Sequence, residues 1–153
     1  MFKKINILRF FIILFLYILP SLFIKNGYDF IDTLTKPSFY PPSFIFIVAW
    51  SIIYILMSML FTYIIDKYGY NNESKSSYLI IFINYILITI FTPIYGPNTL
   101  YLGFCIVLLT LVSVIYLMID LTKLNKKLIF LLIHYLLWLM TALGLSLSLY
   151  LLN

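Results

Sequence analysis

The run FIFIVAWSIIYILMSMLFTYII, residues 44–65, has no charged residue, proline or glycine. At about 1.5 Å per residue, a helix of this length crosses the roughly 30 Å hydrocarbon core of a bilayer. Pro41-Pro42 stands before it and Asp66-Lys67 closes it. Working outward, four more apolar runs lie near residues 5–24, 78–95, 99–119 and 128–152, with the polar residues gathered between them. The chain reads as one all-α domain, residues 1–153, forming a bundle of five transmembrane helices.

Composition supports this. The chain is 64% hydrophobic and only 10% charged, whereas soluble domains carry about one quarter charged residues. The net charge of +5 does not point to nucleic acid, because most cations flank the apolar runs. Lys3, Lys4, Arg9, Lys67, Lys75, Lys123, Lys126 and Lys127 share one side, against Lys25 and Lys36 on the other. The positive-inside rule then predicts a cytoplasmic N-terminus and an outward C-terminus. The first run is too long for a signal peptide and lacks a small-x-small cleavage site after Pro20, so it is expected to persist as a helix kinked at that proline.

Ionisable groups are scarce within the runs. Asp66 and Asp120 fall at helix ends, and His134 is the one histidine. An ion-coupled transporter built on buried carboxylates is disfavoured. His134 has no second ligand or carboxylate partner, so it is expected to be neutral and bonded to a helix neighbour rather than to bind haem iron or relay protons. The single cysteine, Cys105, sits in mid-run and excludes an intramolecular disulfide or a cysteine metal cluster. No metal site is predicted.

Between the first two runs, Phe30, Ile31 and Leu34 have the spacing of one helical turn, which Lys36-Pro37 is expected to end. Pro41-Pro42 is a stiff lead into the second run. The segment from Asp66 to Ser77 reads as an exposed, mobile loop, and Tyr95-Gly96-Pro97-Asn98 as a tight helical hairpin. Trp50 and Trp138 each lie inside a run, where an indole packs between helices or stacks on a ligand. Ala142-x-x-x-Ser146 and Gly144-x-x-x-Ser148 permit close helix approach, within one bundle or in a homodimer.

The segment Phe30-Ile31-Asp32-Thr33-Leu34-Thr35-Lys36-Pro37-Ser38-Phe39-Tyr40-Pro41-Pro42 resembles the Trp-Tyr-x-x-Leu-x-Lys-Pro-x-Trp-x-Pro-Pro signature of the tryptophan-rich sensory protein/translocator protein (TspO/MBR) family. Trp50 and Tyr54 follow at the family's spacing. Asn84 through Pro93 is similar to the family's Gln-Leu-x-x-Asn-x-x-Trp-Ser-Pro, and Tyr135, Trp138, Ala142 and Leu145 match its last helix. The departures are Phe30, Phe39 and Phe91 at tryptophan positions, Ile88 for a pocket asparagine, Ile106 for an acid, and His134 and Ser146.

The high Ile, Lys, Asn, Phe and Tyr content with little Ala suits an AT-rich bacterial genome and so a plasma-membrane location, and the resemblance implies a bundle that holds an aromatic cavity for porphyrins, other haem precursors or similar hydrophobic ligands. A role there as a sensor or scavenger is what the resemblance implies. Two other implied functions are light- and oxygen-dependent porphyrin breakdown, involving Trp50 and Trp138, and translocation of tetrapyrroles or lipids. The implied ligand-binding residues are Leu34, Pro41, Trp50, Asn84, Phe91, Trp138, Ala142 and Leu145, with Lys36, Pro37 and Pro42 in a lid. Lys36 suits either a ligand propionate or an interfacial anchor.

Overall fold

The computed structural model describes residues 6–22 and 29–153; Lys3, Lys4 and Lys25, which enter the charge count, lie outside them. Five helices form: α1 (Ile7–Leu22), α2 (Ser43–Tyr68), α3 (Lys75–Ile94), α4 (Leu100–Leu124) and α5 (Phe130–Leu152). Short 3₁₀ turns, Asp29–Thr33 and Lys126–Ile129, precede α2 and α5. The described residues contain no strand. By length and composition α2, α4 and the unit Lys126–Leu152 suit a membrane crossing, while α1 and α3 are shorter apolar helices.

Each expected run became a helix, but several ends moved. α2 continues through Asp66 and Lys67 because both charges find partners: Arg9 pairs with Asp66, and Lys67 Nζ donates to Tyr63 Oη at 3.0 Å. α4 runs on to Leu124 past Asp120, which is only 5% exposed. Its carboxylate accepts from Ser76 Oγ at 2.7 Å, Ser77 Oγ at 2.6 Å and Lys123 Nζ at 2.8 Å. Such bonds offset the cost of burying the charge.

These contacts correct the exposed, mobile loop expected from Asp66 to Ser77. Asn71, Asn72 and Glu73 are exposed, but Ser74 and Ser77 are fully buried. Asn71 Oδ1 accepts the backbone N–H groups of Glu73 and Ser74 at 3.0 and 2.9 Å, and Ser74 Oγ donates to Gly69 O at 2.7 Å. Gly69 takes φ +61°, where a side chain would be strained. The turn therefore satisfies its own backbone.

The helices close a ring in the order α1, α2, α5, α4, α3. The register of α1 on α2 is set by the Arg9–Asp66 ion pair, by Asn6 N–H donating to Asp66 Oδ2 at 2.7 Å, and by Tyr17 stacking on Tyr54 at 6.0 Å. The end of the bundle that carries Asp66 and Asp120 is solidly packed: Leu60, Ile64, Leu117, Leu121, Leu128 and Leu132 have no exposed surface. Lys67, Lys75, Lys123, Lys126 and Lys127 stand at that same end, beside the helix termini.

One polar cluster ties three helices together at mid-height. Asn84 Nδ2 on α3 donates to Ser113 Oγ on α4 at 2.8 Å, and Tyr135 Oη on α5 donates to Asn84 Oδ1 at 3.1 Å. Both Asn84 and Tyr135 are buried. His134, the next residue on α5, departs from expectation: its Nε2 is buried with no hydrogen-bond partner. Its helix carbonyls are engaged in the backbone ladder, and no described polar side chain reaches that nitrogen.

The Asn84 cluster predicts a specific loss. Asn84→Ala leaves the Tyr135 hydroxyl and Ser113 without their partner, so the bundle should lose roughly 1–3 kcal/mol, read as a lower Tm in detergent. Tyr135→Phe combined with Asn84→Ala should cost less than the two single changes summed.

Candidate functional site

Directly above that cluster the bundle is hollow. A cavity of about 540 Å³ is bounded by α2, α3, α4, α5, the segment before α2 and Ser21 near the end of α1. Its floor is one helical turn beyond the polar cluster on three helices: Ile88 after Asn84, Thr110 before Ser113, and Trp138 after Tyr135. The polar cluster is thus sealed beneath the cavity rather than open to it.

Helical spacing selects the walls. Phe46, Trp50 and Tyr54 repeat at i, i+4, i+8 along α2; Ile88, Phe91 and Tyr95 continue the face of α3; Trp138, Ala142, Leu145 and Ser146 repeat along α5. The rings support one another. Phe46 meets Trp138 edge-on at 5.4 Å, Trp50 lies 5.7 Å from Tyr54, and Phe91 stacks on Tyr95 at 4.9 Å. Tyr95 in turn lies against Gly103 so closely that a Cβ there would come within 2.3 Å of the ring. Glycine at 103 is what lets α4 carry this aromatic stack.

Hydroxyls on the wall are tied to their own helices: Thr110 Oγ1 donates to Ile106 O at 2.7 Å, and Ser146 Oγ to Ala142 O at 2.8 Å. Both oxygens keep acceptor capacity. Trp138 is 9% exposed and its indole N–H has no acceptor among the described residues. A buried unmet donor in the wall of a cavity is unusual in native proteins.

The mouth is polar. Lys36 Nζ donates to Asp32 Oδ1 at 2.6 Å and lies 5.3 Å over the Tyr40 ring. This is an i,i+4 pair with an exposed carboxylate, worth only a few tenths of a kcal/mol, so another anion can compete for the ammonium. Burial raises the Tyr40 pKa above its usual value, with Lys36 opposing and Asp32 reinforcing, and the phenol stays neutral.

Of the residues singled out in the sequence, Trp50, Phe91, Trp138, Ala142, Leu145 and Lys36 meet at this cavity. Leu34, Pro37, Pro41, Pro42 and Asn84 do not line it. The 3₁₀ turn closes at Thr33, three residues before Lys36-Pro37 begins to exclude helix, and it buries Ile31 against the cavity while Leu34 falls beyond its end. Pro37 O accepts from Tyr40 N–H, and Pro42 O from Ile45 N–H, both at 3.0 Å. The prolines shape the path into α2 instead of forming wall. Asn84 belongs to the cluster beneath the floor. Phe46, Tyr54, Tyr95 and Thr110 were missed as wall residues; Phe46 and Tyr54 are one turn either side of Trp50, the signal that would have found them.

The α5 small-residue pattern also resolves. Ala142 and Ser146 border the cavity, and a Cβ at Gly144 would meet nothing within 4 Å. Ala142 packs against the core and Ser146 is buried, whereas Gly144 faces open space within the described bundle.

The segment over the cavity is fastened to α5. Asn153 Oδ1 accepts from Thr35 N–H at 2.8 Å, while its Nδ2 donates to Thr35 O at 3.1 Å and to Leu149 O at 3.0 Å. Two neutral hydrogen bonds at roughly 0.5–1.5 kcal/mol each predict about tenfold faster amide exchange at Thr35 in Asn153→Ala, measurable by hydrogen–deuterium exchange in detergent.

Comparison with known proteins agrees with this arrangement. The TspO/MBR family profile matches residues 9–151. The chain is also similar to a tryptophan-rich protein TspO from Bacillus cereus, with 28% identity over 152 residues, covering 99% of this chain and 98% of that protein. With a five-helix membrane bundle and a family match over nearly its whole length, the chain belongs to the TspO/MBR family.

Proposed function

We propose that this protein is a membrane receptor for a flat, hydrophobic ligand of the tetrapyrrole class, such as a porphyrin or haem precursor. The observation that carries this reading is the set of six aromatic rings, Phe46, Trp50, Tyr54, Phe91, Tyr95 and Trp138, around one apolar cavity with a lysine at its mouth. The volume is within the ~300–1,000 Å³ of small-molecule pockets. Rings stack on a π-surface, and Lys36 exchanges its weak Asp32 contact for a ligand carboxylate. The residues from Leu34 to Pro42 act as the lid, held by Asn153. Ile88 supplies no amide at the floor, so stacking contributes more than hydrogen bonding to recognition.

The protein is oriented with its lysine-rich end in the cytoplasm, which turns the cavity mouth outward. In intact cells, Phe39→Cys in a Cys105→Ser background should react with a membrane-impermeant maleimide, whereas Asn72→Cys should stay protected. The reverse labelling would invert the topology.

Titration of the purified protein with protoporphyrin IX in the dark, followed by tryptophan quenching, tests the ligand. Saturable binding is expected. Trp138→Phe keeps a ring but removes the N–H, and should weaken binding by roughly tenfold; Trp138→Leu and Trp50→Leu should weaken it further. Lys36→Gln should weaken the free diacid and leave its dimethyl ester unaffected. Partition no greater than into empty micelles would overturn the tetrapyrrole assignment. Illumination of the complex then separates binding alone from light-dependent porphyrin loss.

A further inference from the structure

The geometry points to a seat for an anionic phospholipid at the packed end of the bundle, on the outer face of α3. There Lys75 receives the headgroup phosphate, and Leu79 and Phe82 receive an acyl chain. The seat lies at the opposite end from the cavity and does not depend on what the cavity binds.

The turn between α2 and α3 is held by Asn71, whose Oδ1 accepts from the backbone of Glu73 and Ser74. Around it Tyr70, Asn72, Lys75, Ser76, Leu79 and Phe82 border a groove of about 550 Å³. One wall is a ladder of rings: Tyr70 meets Tyr78 edge-on at 5.6 Å, and Tyr78 meets Phe61 of α2 at 5.5 Å. Across from it, the Ser76 hydroxyl is committed to the Asp120 carboxylate of α4 at 2.7 Å. Braced on α2 and on α4, the groove is a fixed feature of the surface.

It is polar at one end and apolar at the other. Lys75 opens α3, and Leu79 and Phe82 follow about 6 and 10 Å further along the helix. At helical spacing these three positions share one face. Leu79 and Phe82 are 59% and 60% exposed, whereas Ser77, Ile81 and Asn84 on the opposite face are buried. The stripe is therefore outward, and it begins with a cation.

Charge at the polar end is uncompensated. Asp66 pairs with Arg9 and Asp120 with Lys123, but the Lys75 ammonium has neither an ion pair nor a hydrogen bond among the described residues. Glu73 is exposed and does not border the groove. The Asn72 amide and the Tyr70 hydroxyl are also without partners among the described residues. A cation, an amide N–H and a phenol O–H at one groove are a donor set that suits a phosphate.

The apolar end selects a lipid over a soluble anion. A free phosphate would use the donors and leave Leu79 and Phe82 uncovered, whereas a phospholipid uses both, its phosphate level with the helix end and its chains running along α3 into hydrocarbon. The sign of the headgroup follows from the neighbouring charges. A choline or ethanolamine group brings a cation beside Lys75, and the carboxylates packed against this end, Asp66 and Asp120, are already engaged. A phosphodiester without an amine, as in phosphatidylglycerol, brings only the charge that Lys75 lacks.

Lipid preference at the seat can be read with a single tryptophan placed in it. The full chain carrying Phe82→Trp, with Trp50→Phe and Trp138→Phe to silence the cavity, is reconstituted in mixed phosphatidylglycerol and phosphatidylcholine vesicles of constant composition. Acyl-chain bromine is carried by one lipid or by the other, and the two quenching depths give the relative affinity. Phosphatidylglycerol should be preferred about fivefold. Lys75→Gln should bring the ratio close to one, and Lys75→Arg should keep it. Lys126→Gln with Lys127→Gln, at the same end but outside the groove, should leave it unchanged. A ratio of one in the reporter protein itself would overturn the seat. Equal losses from Lys75→Gln and from the Lys126 and Lys127 pair would also overturn it, leaving only surface potential. Displacement of the brominated phosphatidylglycerol by glycerol 1-phosphate at constant ionic strength would make the occupant a soluble anion instead.

Discussion

Asn84 holds three helices at once, and the two halves of the bundle differ because of where it does so. In hydrocarbon no water is available to satisfy a polar side chain, so an amide on α3 must find both its donor and its acceptor partners inside the protein. It finds Ser113 on α4 and Tyr135 on α5. Below this level the helices are drawn together around Leu60, Leu117 and Leu132, which are fully buried. One turn above it, the same helices carry Ile88, Thr110 and Trp138, and the space between them is cavity.

The two ends are anchored by different means. At the packed end, charge is neutralised locally: Asp66 by Arg9, and Asp120 by Lys123 and two serines. At the open end, the fastening is neutral, through the side chain of Asn153 on the backbone of Thr35. Neutral bonds to a loop are more readily broken than charge-assisted ones, so the segment over the cavity is the more weakly held of the two ends. The aromatic stack of Phe30, Tyr95 and Phe91 connects that loop to the cavity wall.

Departures from the family's usual residues change the chemistry of the cavity more than its shape. Phe91 keeps a ring on the wall without an N–H, and Ile88 replaces an amide with hydrocarbon at the floor. Phe39, at a third tryptophan position, is 57% exposed, and Phe30 packs on Tyr95. The remaining indole of Trp138 has an unmet N–H. On the proposed reading, recognition leans on stacking and on a few edge contacts.

The sequence by itself determined the fold class, because five long apolar runs have a single low-energy form in a bilayer and because backbone groups there must be paired within each helix. It also pointed to Trp50, Phe91, Trp138, Ala142 and Leu145, since residues at helical spacing share a face whatever the neighbours are. Only the tertiary structure decided which face meets which. Asn84 looked like a pocket residue until Ser113 and Tyr135, 29 and 51 positions away, proved to be its partners. The serines after Asp66 looked like loop until Asp120, more than 40 residues on, turned out to be their acceptor. Long-range partners leave no local pattern in a chain, and the register of α1 on α2 is one that packing alone sets.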